Sequence, residues 1–203
     1  MRYLITQSLL SSWAYMFSCY ESQCEEAYAS FISTLKRERS EQTEAQKMGV
    51  EFETEVYKAV KGEPRQPHKW ETGIQAVARL LTGAQLQVKE VREIEVDGEQ
   101  YLLYGIMDAL RAGEIMDVKF STHSFGSIDL PGKYRESAQH PTYFALETKA
   151  YRFTYIVSDG EDVYTESYFR QSTPAIEGII SQFISSIKGM GLLDLYHQKW
   201  EAT

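Results

Sequence analysis

The stretch Gly105-Ile106-Met107-Asp108-Ala109-Leu110-Arg111-Ala112-Gly113-Glu114-Ile115-Met116-Asp117-Val118-Lys119-Phe120 decides how the chain reads. Two apolar runs flank the Gly-containing turn Arg111-Ala112-Gly113, which is the pattern of a β-hairpin. Side chains two apart on a strand point to one face, so Asp117 and Lys119 project together. Asp108, on the preceding strand, can reach the same face. An Asp-x-Lys tripeptide alone is common and reads as an ion pair on an exposed edge. Here Ile115, Met116, Val118 and Phe120 surround it, and charge placed in so apolar a strand needs a reason. Two carboxylates suit a hard divalent cation such as Mg²⁺, which takes oxygen ligands and keeps several waters. Such a cation polarises a phosphodiester and helps generate hydroxide, while a neighbouring lysine orients or deprotonates water or neutralises developing charge.

Outward from the hairpin, the period of the apolar residues changes twice. Upstream, residues 7–17 and 21–39 have helical spacing, and Met48, Phe52, Val56 and Val60 mark a helix over about 44–60. Another helix spans about 70–82 and ends before Gly83. Leu86, Val88, Ile94 and Val96 then predict an extended segment that Asp97-Gly98 turns back into residues 100–110. Downstream lie a helix within 134–149, a strand over 151–158, the Asp159-Gly160 turn and a strand over 162–169. Residues 174–200 are helical, with a break near Gly189 and Gly191. Helix, three antiparallel strands, helix, strand is the order of an α+β or mixed α/β domain. No linker divides the chain, so one domain over 1–203 is expected.

Composition sets the outer bounds. The chain has 203 residues, 43% hydrophobic and 25% charged, which is ordinary for a globular protein. Lys+Arg 21 against Asp+Glu 29 gives a net charge of −8, the opposite of a general polyanion binder. The two cysteines, Cys19 and Cys24, are too few for a Cys-only zinc site or an iron-sulfur cluster. If their stretch is helical they stand more than a turn apart, badly placed for a disulfide. With no apolar run of membrane-spanning length and no signal-peptide core, a soluble cytoplasmic protein is expected. His68, His123, His140 and His197 show no metal spacing and read as ordinary surface histidines.

Gly105-Ile-Met-Asp108 and Asp117-Val-Lys119, on adjacent strands in that order, resemble the PD-(D/E)XK nuclease superfamily, above all its RecB-type and phage-exonuclease branches. Gly49-Val-Glu-Phe-Glu53 is similar to the family's helix motif, and Gln139-His-Pro-Thr-Tyr143 to its Q-x-x-x-Y motif. Ile5-Thr6-Gln7-Ser8 and the following aromatic helix resemble the opening of many members. The likeness covers about residues 45–160, between an N-terminal helical region (1–44) and a C-terminal hairpin with helices (161–203). It implies a restriction-endonuclease-like core, α-β-β-β-α-β, with extra N- and C-terminal helices.

Residue by residue, the resemblance implies that Asp108 and Asp117 ligate Mg²⁺ (Mn²⁺ substituting), with the backbone carbonyl of Val118 assisting. Glu53 would add a carboxylate, although Glu51 and Glu55 flank it, and Lys119 would be the catalytic lysine. Gln139 and Tyr143 share a helix face and, with Lys133 and Arg135, would contact DNA. Pro141 lies between the first two. Either Ser137 caps a helix whose first turn holds Pro141, or the helix is kinked. The implied activity is Mg²⁺-dependent deoxyribonuclease, an exonuclease of phage-type recombination or repair working with a single-strand annealing protein or as a homo-oligomer. The alternatives are a RecB-like repair or defence nuclease with a helicase partner, and a catalytically inactive nuclease-fold binding or assembly protein.

Overall fold

The computed structural model describes residues 2–39, 41–127 and 129–202. Seven α-helices and six strands are found among them; from α1 onward their order is the one expected from periodicity, and a strand, β1, precedes it. The chain opens with β1 (Tyr3–Thr6), and the Thr6 hydroxyl accepts from the Leu9 amide to start α1 (Gln7–Ser18). A four-residue strand is too short to show a period, so β1 carries no sequence signature. A short turn at Glu21–Gln23 leads to α2 (Cys24–Leu35). Because this turn reverses the chain, the Cys19 and Cys24 sulfurs stand 3.3 Å apart. The expectation of widely separated thiols is therefore corrected: they meet across a corner rather than along one helix.

α3 (Glu44–Lys61) begins at a reciprocal Thr43–Gln46 capping box and stops at Gly62, whose φ of 69° is left-handed. α4 (Glu71–Leu80) follows. β2 (Gln85–Val96), β3 (Glu99–Arg111) and β4 (Glu114–Phe120) form consecutive antiparallel hairpins. α5 (Gln139–Leu146) carries the chain across to β5 (Arg152–Ser158), which pairs parallel with β4. β6 (Val163–Phe169), α6 (Ile176–Gly189) and α7 (Leu193–Trp200) complete the fold. The Ser137 hydroxyl accepts from the Gln139 amide, and Pro141 sits in the first turn of α5, where a missing N–H is tolerated. Ala138, not Ser137, occupies the cap position and makes no side-chain cap bond, so it is the late start of the helix that accommodates the proline.

The sheet runs β1-β3-β4-β5-β6, with β2 also paired to β3. β1 lies parallel to β3 over Tyr101–Tyr104, whereas β4 joins β3 only over Ala109–Arg111. Between those two segments, β3 is paired to β2 alone. One face of the sheet is covered by α3 and α4, where Phe52, Val56, Ile74, Val77 and Leu81 meet Met116, Val118 and Ile156. Against the other face, α1, α5 and α6 pack on Met107, Ile115, Phe153 and Tyr155. With both faces covered, β4 buries five consecutive residues, Glu114 to Val118.

Gly105 sets how closely α5 approaches. A Cβ at this position would lie 2.6 Å from Tyr143 Cε1 and 2.8 Å from Leu146 Cδ1. Gly105→Ala should therefore push α5 off β3 and cost roughly 1–3 kcal/mol by overpacking. Urea unfolding would show this as a lowered midpoint with unchanged slope.

Candidate active site

Asp108, Asp117 and Lys119 converge where β3 and β4 part, and Glu53 acts electrostatically on Asp108 from α3. The β3–β4 ladder ends at Ala109↔Met116, and one residue further the Asp108 carboxylate takes the place of a backbone partner. Its Oδ2 accepts from the Val118 amide at 2.8 Å. Asp117 is 2% exposed. Its Oδ1 accepts from the Gln139 side-chain amide, and its Oδ2 stands 2.7 Å from Lys119 Nζ. That Oδ2 is buried without a well-formed hydrogen bond, so it is held by charge. Lys119, half-buried, keeps its ammonium at the edge of the cluster.

Burial, then repulsion from Asp117 and Glu53, raises the Asp108 pKa well above the ordinary carboxylate range; Lys119 and the Val118 amide oppose this without reversing it. For Lys119, burial works against the charged form, but the Asp117 and Asp108 carboxylates outweigh it and raise the pKa above the usual lysine value. The ammonium is thus firmly protonated.

Of the three neighbouring glutamates on α3, Glu51 faces His68 at 3.1 Å and Glu55 is taken by Lys58 and Arg65. Glu53 is the one that acts electrostatically on Asp108. Its Oε1 accepts from the Tyr57 hydroxyl and, at 3.3 Å, from the Gln87 side-chain amide. Tyr57 and Gln87 went unread in the sequence. Tyr57 follows Glu53 by four residues, a spacing that places both on one helix face. Nothing local marks Gln87, whose role depends on its backbone conformation in the folded sheet.

Gln139 and Tyr143 are each 6% exposed. Gln139 spends its amide on Asp117, and the Tyr143 hydroxyl donates to the Ile106 carbonyl at 2.7 Å, within the part of β3 that β4 leaves unpaired. Val118 contributes its N–H to Asp108 and its side chain to the core. Lys133 and Arg135 are exposed in the turns before α5. Lys133 lies 5.9 Å from the Tyr134 ring, and Tyr134 in turn stacks on Tyr155 at 4.2 Å.

Among the described residues, no group of three or more His, Cys, Asp or Glu side chains stands arranged to hold a metal ion. The donor chemistry nonetheless fits a hard divalent cation. Asp108, Asp117 and Glu53 offer oxygen alone, and Asp117 Oδ2 is a buried anionic atom whose one partner is a lysine.

His140 is not the surface histidine expected from sequence. It is 2% exposed, stacks on Tyr168 at 4.4 Å and shares a hydrogen bond with the Tyr155 hydroxyl. Burial lowers its pKa from 6.5 to about 4. Between those values the unfolded chain binds a proton that the folded chain does not, so stability falls as pH drops from about 6.5 toward 4. Urea midpoints measured across that window should fall more steeply for the wild type than for His140→Gln, and equal slopes would show that His140 is not the buried neutral group.

No protein-family profile and no curated protein matches the chain. Solved structures do share its fold. SSO0001 is 17% identical with a TM-score of 0.54, covering 94% of this chain and 77% of that one. LHK-Exo in complex with dAMP is 14% identical with a TM-score of 0.52, covering 96% of this chain and 92% of that one. At these identities the likeness is one of fold. The mixed sheet with helices on both faces is the α/β core that these proteins share.

Proposed function

We propose that this protein is a divalent-metal-dependent deoxyribonuclease that hydrolyses phosphodiester bonds from DNA ends. One observation carries the reading: Asp108, Asp117 and Lys119, from two adjacent strands, lie together at the point where β3 and β4 diverge, and Glu53, from a helix 55 residues before Asp108, acts on Asp108 there. The fold likeness to LHK-Exo, a protein held with the deoxynucleotide dAMP, supports DNA over other phosphodiesters.

Asp108, Asp117 and Glu53 would hold Mg²⁺, with the Val118 carbonyl as a further oxygen. When bound, the cation supplies Lewis-acid polarisation of the phosphodiester and an acidified water. Gln139 fixes the rotamer of Asp117, which keeps one carboxylate oxygen turned toward Lys119. Lys119, whose Nζ lies 2.7 Å from Asp117 Oδ2, would orient water and neutralise charge on the phosphate oxygens. Tyr143, locked on the Ile106 carbonyl, holds α5 and therefore Gln139 in register. The exposed Lys133 and Arg135 would contact the phosphates of the incoming strand.

Digestion of end-labelled linear and closed circular DNA with Mg²⁺ or Mn²⁺ tests the reading. Linear DNA should be degraded, circular DNA spared, and a chelator should abolish the activity. Lys119→Ala and Asp117→Asn should each cost on the order of 10²-fold or more in rate, the scale seen when one stabilising group is removed. Wild-type rates in both variants would overturn the assignment. DNA affinity should also fall with salt, and Lys133→Ala with Arg135→Ala should flatten that dependence by about one logarithmic unit per lost phosphate contact.

A further inference from the structure

Among the described residues, four other than glycine have left-handed backbone: Arg37, Gln87, Asp97 and Ala112. Asp97 and Ala112 occupy hairpin turns, and Arg37 follows the end of α2. Gln87 alone lies inside a strand, with φ at 53°. This conformation is unfavourable for a residue with a Cβ and persists only where the surroundings impose it. Its place is telling. Leu86 and Val88 pair with Ala109 and Met107, the two neighbours of Asp108, so the distorted residue stands opposite Asp108 on the adjacent strand.

The distortion aims the Gln87 side chain at α3. Its Nε2 donates to the Tyr57 hydroxyl oxygen at 2.8 Å and to Glu53 Oε1 at 3.3 Å, and the Tyr57 hydroxyl donates to the same Glu53 oxygen. Glu53 and Asp108 repel each other, and an unrestrained glutamate on a helix surface would swing away toward water. Two neutral donors on one carboxylate oxygen oppose that movement without adding a cation that would compete for the site.

We infer that Gln87 and Tyr57 are positioning residues, a clamp that holds the Glu53 carboxylate beside Asp108 so that it serves as the third oxygen donor to a divalent cation. This rests on the proposed metal-dependent function and adds a specific claim to it: the affinity of the site depends on two side chains that need not touch cation or substrate.

The test uses full-length protein and Mn²⁺ titrated by calorimetry, with digestion kinetics alongside. Gln87→Gly suits the left-handed backbone while removing the amide, and Tyr57→Phe removes one hydroxyl; circular dichroism establishes that both remain folded. Each should weaken Mn²⁺ binding about 10-fold or more, as losses of outer hydrogen-bond partners to metal-holding groups do. Each should also lower kcat and leave KM for DNA unchanged. In a Glu53→Gln background neither should cause further loss, because the clamp acts through Glu53. If the wild type binds Mn²⁺ in a manner abolished by Asp117→Asn, yet Gln87→Gly and Tyr57→Phe bind it equally well, the clamp is wrong and the function stands. Losses that add fully to that of Glu53→Gln would likewise overturn the clamp. Absence of Mn²⁺ binding by the wild type would remove the functional reading and the clamp together.

Discussion

The site depends on a backbone exchange: where β3 and β4 stop pairing, the Val118 amide donates to the Asp108 carboxylate instead of to a strand partner. A buried amide must find an acceptor, and a carboxylate placed between two layers of helices must find donors. Each requirement meets the other. The consequence is geometric, because anchoring Asp108 on the bond between Asp117 and Val118 brings two carboxylates to one point while each belongs to a different strand.

Holding like charges together in a partly dry place has a cost, visible in the raised pKa of Asp108. The surroundings offset it on three sides: Lys119 faces Asp117, Gln139 donates to the other oxygen of Asp117, and Tyr57 with Gln87 donates to Glu53. Each of these devices requires something of the scaffold. α5 reaches Asp117 because residue 105 is a glycine, and Gln87 reaches Glu53 through a strained backbone. The left-handed Gln87 and the Asp117 Oδ2 that lacks a hydrogen bond lie on the two strands that pair with β3 in this one region, whereas most buried carboxylate oxygens find donors in ordinary ways. Buried Glu114, for example, is met by Arg152 and Thr154.

Much of this was legible before the fold. Asp117 and Lys119 share a face because strand periodicity is a local rule, and the helix-strand order followed from the spacing of apolar residues. Recognising Glu53 among three glutamates was harder, because helical period separates faces without saying which face meets the sheet. Packing decides that, by giving Glu51 to His68 and Glu55 to Arg65. Spacing puts Gln139 and Tyr143 on one helix face and the resemblance implies a DNA contact there; packing buries both, with Gln139 bonded to Asp117 and Tyr143 to the Ile106 carbonyl. His140 misreads for a related reason: a histidine in a polar stretch gives no hint that Tyr168 and Tyr155 will enclose it.

The net charge of −8 looked at first like an argument against a polyanionic partner. Of the 29 acidic residues, Asp108 and Asp117 stand together and Glu53 acts on Asp108 from α3, a concentration of charge that a cation would offset. The sequence by itself determined the element order, the hairpin and the pairing of Asp117 with Lys119, because each follows from periodicity and turn chemistry within a few residues. Only the tertiary structure decided that β3 and β4 separate beside Asp108, that Glu53 is the glutamate facing it, and that Gln87 adopts a left-handed backbone inside β2. These depend on contacts between residues 10 to 55 positions apart, and no local pattern encodes where such segments will meet.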